Sequence, residues 1–376
     1  MVIGIEASRA NRAQRTGVEW YAAHLLRELH RLPVATLHAW VLYTNTPLQQ
    51  DLREWTKGWT ERVLSWPPQY LWTQIRLSSE MRLMPPDVLF VPAHVLPRVL
   101  PKRTVVTIHD VGFRRHPEFY KPIQVAYHEA TTRDIVRSSA HILTVSEFSK
   151  QELVTLYGCA PERIHVTPLG VQHEVYRPSS VEEQQVVREA HGLGDEPFFL
   201  FIGRLEEKKH IRGVVEAFFA FAERSSTGLL VLVGQPGKGW KQLARRIEQH
   251  PHGKRVRLLG YVSEAQKVAL LSASTALVHL SWYEGFGLTI LEAFACRTLV
   301  IASNAGSLPE VAGDAAFALV SPHDIRAASE AMERVLTLSM EERARYQERG
   351  RVRAQAYTWQ KTAEATYAIL TEYDPS

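Results

Sequence analysis

Tyr283-Glu284-Gly285-Phe286-Gly287-Leu288-Thr289-Ile290-Leu291-Glu292-Ala293-Phe294 carries two carboxylates eight residues apart. Glu284 stands on a glycine-flanked loop, and Glu292 lies inside the apolar helical pattern that follows. Along a helix, eight residues rise ~12 Å and turn by a net ~80°. A retaining glycosidase holds its two acids only ~5 Å apart, so this pair suits contacts to different parts of one elongated ligand. Gly285-Phe286-Gly287-Leu288 opens the helix, where free N–H groups and the dipole attract anions and glycine lets a phosphate or sugar reach the backbone. The plain alternative is an αL turn with Glu284 as a cap. Glu292 needs a partner, because buried carboxylates are rare unless paired.

The stretch lies between strand-like runs at residues 277–280 and 299–301, so it reads as the loop and helix of a βαβ unit. The same alternation fills the chain. Strand-like runs fall at 2–5, 40–43, 88–91, 105–108 and 142–145, then at 198–202, 230–233 and 256–259. A helix is predicted from Gly17, with Val18, Tyr21, Leu25, Leu26 and Leu29 at helical spacing. Strands separated by single helices imply right-handed βαβ units and parallel sheets covered on both faces. Residues 167–173 and the segment Tyr176-Arg177-Pro178-Ser179-Ser180, rich in Pro, Gly and Ser, read as the linker between two halves. Two domains are expected, 1–172 completed by a returning helix in 357–376, and 173–356. Two doubly wound sheets would place a ligand cleft between them.

A chain of 376 residues with 45% hydrophobic and 22% charged residues is long enough for two ordinary globular domains. A formal charge of +4 is too weak to argue for nucleic acid. Two cysteines fit a reducing compartment rather than a disulfide framework. Glu6 interrupts the apolar start before a signal segment forms, and the apolar runs are strand-length, so no membrane span is expected. The reading is a cytoplasmic protein, with peripheral placement on the inner membrane face left open.

Three further segments carry chemistry. Gly203-Arg204-Leu205-Glu206-Glu207-Lys208-Lys209-His210 follows a strand and supplies two cations suited to a diphosphate, Arg204 as a planar fork and Lys209 as a point charge. A solvated basic turn paired with Glu206 or Glu207 is the competing reading. Gly234-Gln235-Pro236-Gly237-Lys238-Gly239 fits neither the P-loop nor the dinucleotide spacing and is a weak signal. His109-Asp110 just past a strand end is either an acid–base or orienting pair or a structural one. His128-Glu129 begins like a zincin helix, but Thr132 stands where the second histidine is required. Ser146 with Ser149 is read as a helix N-cap.

Together these segments resemble the retaining glycosyltransferases of family 4, which have the GT-B fold. The resemblance runs through Arg15-Thr16-Gly17-Val18, Trp72-Thr73-Gln74, His109-Asp110-Val111, Thr144 to Ser149, Gly203-Arg204 with Lys209, Gly260-Tyr261-Val262, the Glu284-to-Glu292 signature, and Ala302 to Val311. It implies two Rossmann-like domains facing a central cleft, with the C-terminal helix crossing back to the first. It also implies roles. Gly17, Gly203, Arg204, Lys209, Leu288 and Thr289 would bind the donor diphosphate. His109, Glu284, Gly285, Phe286 and Gly287 would hold the transferred sugar, His109 and Glu284 as catalytic residues. Gly234, Tyr261, Val262 and Glu292 would meet the ribose and base. No cofactor and no metal are implied.

The resemblance implies transfer of a hexose from a nucleotide diphosphate sugar to a hydroxyl of a saccharide or lipid-linked acceptor, with retention. Mannose from GDP-mannose is the preferred donor. A UDP-sugar such as UDP-glucose, or a catalytically silent nucleotide-sugar-binding protein, is the alternative. Four residues depart from the family pattern. Glu19 and His210 are expected to line the cleft and to alter specificity. Arg297 and Leu299 stand where Gly and Pro are frequent, which puts a helix end and a strand entry in question.

Overall fold

The structure, a computed structural model, describes residues 1–67 and 70–372. Compact contacts divide the chain into two units, Met1–Gly170 with Trp359–Ser376 and Val171–Thr358. The returning segment belongs to the first unit; residues 373–376, the end of the expected returning helix, lie outside the described residues.

The first unit is one seven-stranded parallel sheet in the order β3-β2-β1-β4-β5-β6-β7. Its strands are β1 (Val2–Glu6), β2 (Ala39–Thr44), β3 (Thr60–Val63), β4 (Val88–Val91), β5 (Thr104–Thr107), β6 (His141–Thr144) and β7 (Ile164–Val166). The second unit is a six-stranded parallel sheet in the order β10-β9-β8-β11-β12-β13. It is built from β8 (Phe198–Ile202), β9 (Leu229–Val233), β10 (Val256–Gly260), β11 (Ala276–His279), β12 (Leu299–Ser303) and β13 (Ala318–Val320). In each sheet the strand order reverses once, between β1 and β4 and between β8 and β11, and ligands of such sheets bind beyond the carboxyl ends of the strands there.

The central strands are buried end to end because helices cover both faces. In β9, β11 and β12 every residue is buried, which is why these runs read as continuous apolar stretches. Phe199, Phe201, Phe218 and Phe221 fill one core of the second unit. Helix Trp359–Thr371 returns to the first unit, where Trp359 packs near Tyr21 and His24, and Thr362 donates to the carbonyl of Pro168 at 2.6 Å.

Strands β3, β7 and β13 were not foreseen. Each is only 3 or 4 residues long and lies at an edge of its sheet, so little apolar pattern marks it. The linker reading of residues 176–180 is overturned: Tyr176 is buried, and Ser180 caps the helix Val181–Ala190 through a capping box. The helix cap foreseen at Ser146 is present, its hydroxyl accepting from the Ser149 N–H at 3.0 Å.

Candidate functional site

In the second unit the switch point brings together the loops that follow β8 and β11. Glu284, five residues past the end of β11, turns its side chain inward and is buried. Three donors converge on its Oε1: Lys209 Nζ at 2.5 Å, Ser281 Oγ at 2.7 Å and His279 Nε2 at 3.1 Å. Burial alone would raise its pKa. The Lys209 charge and the hydrogen bond from His279 outweigh burial and hold the carboxyl well below its ordinary range. Its backbone is fixed as well. The carbonyl of Glu284 accepts from the Ser307 N–H at 3.2 Å and from its hydroxyl at 3.0 Å. An added Cβ on Gly306 would stand 2.7 Å from that same oxygen.

Glu284 is not a helix cap. The helix Leu288–Ala295 begins four residues later, and Gly287 at its N-cap has φ +93° and no side chain to offer. The left-handed backbone favours glycine there, and an added Cβ would also lie 2.4 Å from Leu308 Cδ2, which would have to shift. Gly285 and Phe286 are buried, whereas Gly287, Leu288 and Thr289 are half-exposed. The first turn of the helix is therefore partly open to solvent.

The loops after β8, β9 and β10 are stitched together. Gly203 N–H donates to Val233 O at 3.0 Å, Gly234 N–H to Gly260 O at 2.8 Å, and Gly237 N–H to Leu205 O at 2.9 Å. A Cβ on Gly234 would lie 1.9 Å from Gly203 O. The glycines at 234 and 237 are thus explained by loop packing, and Gly237 lies directly beneath the Arg204 and Glu206 side chains. The two cations of the β8 loop do not act on one partner. Lys209 is on Glu284, while the Arg204 side chain is 66% exposed and pairs loosely with Glu206 at 3.4 Å. The surface-pair reading of Arg204 is the arrangement seen.

Glu292 has a partner set of its own. Lys267 Nζ lies 2.8 Å from its Oε2 and 2.6 Å from the Tyr176 hydroxyl, which in turn donates to Glu264. Burial and the neighbouring Glu292 push the Cys296 thiol up to about 12. Tyr261 is 81% exposed beside buried Val262, at the open edge of the β10 loop. A cavity of about 620 Å³ lies between helices Val181–Ala190 and Glu264–Ala273, walled by Val175, Pro178, Val187 and Val268, and includes neither Glu284 nor Glu292.

In the first unit His109 follows β5. Its ring meets Tyr21 edge-on at 4.6 Å, and its Nε2 is buried without a hydrogen-bond partner. Burial lowers its pKa to about 4, although Asp110 and the Pro92 backbone favour the charged form. Gly17 opens helix Gly17–Arg31. It has no left-handed φ, and an added Cβ would meet nothing within 4 Å, so the fold itself places no demand for glycine.

Two departures have structural explanations. Glu19 is the third residue of that helix and closes a capping box with Thr16. His210 is buried with φ +50°, its ring centre 4.1 Å from that of Trp282 at a tilt of 46°, and its Nε2 lies 2.9 Å from Pro322 O. The Glu19 side chain is accounted for by its cap, whereas His210 Nδ1 is buried without a hydrogen-bond partner. Sequence reasoning missed His279, Ser281, Lys267 and Tyr176. For His279 the signal was a histidine near the end of an apolar strand. Lys267 is marked by nothing local, since its partner stands 25 residues further on. Among the described residues no group of three His, Cys, Asp or Glu could hold a metal ion, and no helix is long and apolar enough to cross a membrane.

Residues 183–353 match the family model for glycosyl transferases group 1, and residues 15–175 match the model for glycosyltransferase family 4. The O-antigen chain mannosyltransferase B of Escherichia coli is 36% identical over 241 residues, 63% of this chain and 62% of that protein. The matched stretch therefore spans less than two thirds of that relative. Among solved structures, sucrose-phosphate synthase of Thermosynechococcus elongatus aligns with a TM-score of 0.76 at 19% identity, over 99% of this chain and 98% of that one. The Anabaena protein HepE, solved with UDP-glucose, aligns equally well at 15% identity, over 99% of both chains. Each half of the chain thus matches a glycosyltransferase family model, and its two Rossmann-like domains are those of the GT-B glycosyltransferase fold.

Proposed function

We propose that the protein is a retaining glycosyltransferase of family 4 that moves a hexose from a nucleoside diphosphate sugar to a hydroxyl of a saccharide or lipid-linked acceptor. The observation that carries this reading is the pair of separately built acid pockets on one loop-and-helix unit. Glu284 is held ionised by Lys209, His279 and Ser281, and Glu292 is paired with Lys267. Glu284 marks the sugar end of the donor and Glu292 the ribose end. Between them the open first turn of helix Leu288–Ala295, Lys209 and the mobile-length side chain of Arg204 take the diphosphate. Mannose from GDP-mannose is the preferred donor, supported by the 36% identical relative, itself named a mannosyltransferase. The reaction is assigned to the cytoplasm, at the inner membrane face where the acceptor is lipid-linked, and needs no resident metal.

Front-face substitution fits the two pockets better than double displacement. The C1–oxygen bond to the diphosphate breaks, the acceptor oxygen bonds C1 from the same face, and the acceptor proton passes to the departing phosphate oxygen. Lys209, Arg204 and the helix N-terminus stabilise the charge that develops on that phosphate. Thermal unfolding with GDP, UDP and ADP tests the donor site. Stabilisation by GDP above the others, abolished in Arg204→Ala/Lys209→Ala, is the expected result. Turnover of GDP-mannose with retention then separates an enzyme from a silent binder. A glycosyl adduct trapped on Glu292 or Glu284 sinks the front-face route.

A further inference from the structure

Four polar side chains form a chain from buried Glu292 through Lys267 and buried Tyr176 to exposed Glu264 at the surface of the second unit. Lys267 Nζ is 2.8 Å from Glu292 Oε2 and donates to the Tyr176 hydroxyl at 2.6 Å; it also sits 4.8 Å from the centre of the Tyr176 ring. The Tyr176 hydroxyl gives its single proton to Glu264 Oε1. Burial, together with the charges of Glu292 and Glu264, raises the phenol pKa, so Tyr176 remains a protonated donor across the physiological range. The Glu292 and Lys267 side chains are 9% and 19% exposed. The members come from helix Leu288–Ala295, from helix Glu264–Ala273, and from residue 176. Tyr176 falls between the two stretches that match family models, 15–175 and 183–353.

A buried carboxylate without a counter-charge takes up a proton or leaves its pocket. Here Lys267 supplies the charge and Tyr176 fixes where the ammonium stands. With one oxygen of Glu292 committed to Lys267, the other is left to accept from a ligand. We infer that Lys267 and Tyr176 are positioning residues that hold the Glu292 carboxylate in place and aimed at the ribose hydroxyls, and that this relay sets the site's preference for a ribonucleotide. The inference rests on the donor-site reading above. It adds that the preference depends on residues outside the Glu284-to-Glu292 signature, acting as outer-shell partners do for other binding groups.

The test is direct binding of GDP and of 2′,3′-dideoxy-GDP to the full-length protein, measured by calorimetry for the wild type and four variants. The wild type is expected to prefer GDP by at least about tenfold, the worth of one good charge-assisted hydrogen bond. Glu292→Gln and Lys267→Met are expected to lose about tenfold in GDP affinity while dideoxy-GDP affinity stays level, so the preference falls towards one. Lys267→Arg should restore part of it. Tyr176→Phe, which keeps the ring packing, should lose about threefold in preference, and in turnover it should raise KM with little change in kcat. Lys267→Met and Tyr176→Phe variants that keep the wild-type preference, or that weaken both ligands equally, overturn the inference while leaving the donor site intact. Full preference in Glu292→Gln, or no nucleotide binding at all, removes the donor-site reading and the inference with it.

Discussion

The candidate residues of both units sit just past strand ends, Glu284 after β11 at the switch point of its sheet and His109 after β5, one strand beyond the switch point of its own, and they are stabilised in opposite ways. Glu284 in the second unit takes three donors on one oxygen and is held charged. His109 in the first unit leaves a buried nitrogen without a partner and is held neutral, its pKa pushed down to about 4 by burial. The first unit repeats that choice at His24 and His94, lowered to about 4 and about 3, again chiefly by burial. At these candidate positions one unit presents a paired charge and the other a buried neutral imidazole. Paired charges pre-orient a site for an anionic ligand before it arrives. An imidazole with an unsatisfied nitrogen has a bonding position left to fill.

The largest effects should come from breaking the charged pocket. Lys209→Met leaves Glu284 buried without its cation and is expected to lower turnover by about 10²–10³-fold, the scale of one lost oxyanion-type donor. It should also lower stability by about 2–4 kcal/mol, because one partner of a buried pair has gone. Adding Glu284→Gln should recover most of the stability and none of the turnover, since the uncompensated charge is then removed as well. His109→Asn in the first unit should cost far less stability, because the histidine nitrogen facing the interior has no bond to lose. Urea unfolding of the four proteins measures this. Equal losses for Lys209→Met and His109→Asn would erase the contrast between the units.

Acid comes next in size. For His24, His94 and His109 the folded pKa lies below the unfolded value near 6.5, so the unfolded chain binds more protons between about pH 6.5 and pH 4. Stability from these groups is complete above that window and is lost as pH falls through it. Each contributes on the order of 2–3 kcal/mol after allowance for partial exposure. Glu6, whose pKa burial raises, works the other way and offsets part of the loss. In the second unit His210 is also lowered by burial, but Glu284, with its depressed pKa, holds its contribution until the pH falls below the ordinary carboxylate range. Hydrogen exchange across pH 7 to 4 should show the first unit loosening ahead of the second. Simultaneous loosening would mean that the buried imidazoles do not set the acid limit.

Much of this contrast was legible in the sequence, but only where the signal is local. The apolar runs at 198–202 and 299–301 announced fully buried parallel strands, and the two glutamates were marked by their own segment. The need of Glu292 for a partner was also legible; the identity of that partner was not. Lys267, His279 and Tyr176 reach the acids through the fold, and Tyr176 lies in a Pro- and Ser-rich stretch whose composition reads as linker. The short strands β3, β7 and β13 escaped for a related reason: at a sheet edge at most one residue of each strand is buried, so no apolar period survives. Glycines divided along physical lines. Gly234 is required by the Gly203 carbonyl, whereas Gly17 meets nothing, and only coordinates separate the two.

The smallest effect is at Arg297, where the family pattern has glycine. Helix Leu288–Ala295 ends in a Schellman motif: Thr298 N–H donates to Ala293 O at 2.9 Å and Arg297 N–H to Phe294 O at 3.0 Å. That geometry puts Arg297 in the left-handed region at φ +59°, which costs a residue with a Cβ about 1 kcal/mol relative to glycine. Its side chain is exposed, so little packing is lost on removing it. Arg297→Gly is therefore expected to stabilise the second unit by about 1 kcal/mol, without a change in nucleotide affinity. Because the first unit is untouched, the gap between the units in acid should widen by the same amount in hydrogen exchange. A variant that destabilises the second unit would mean that the arginine side chain contributes more on this surface than its backbone strain removes.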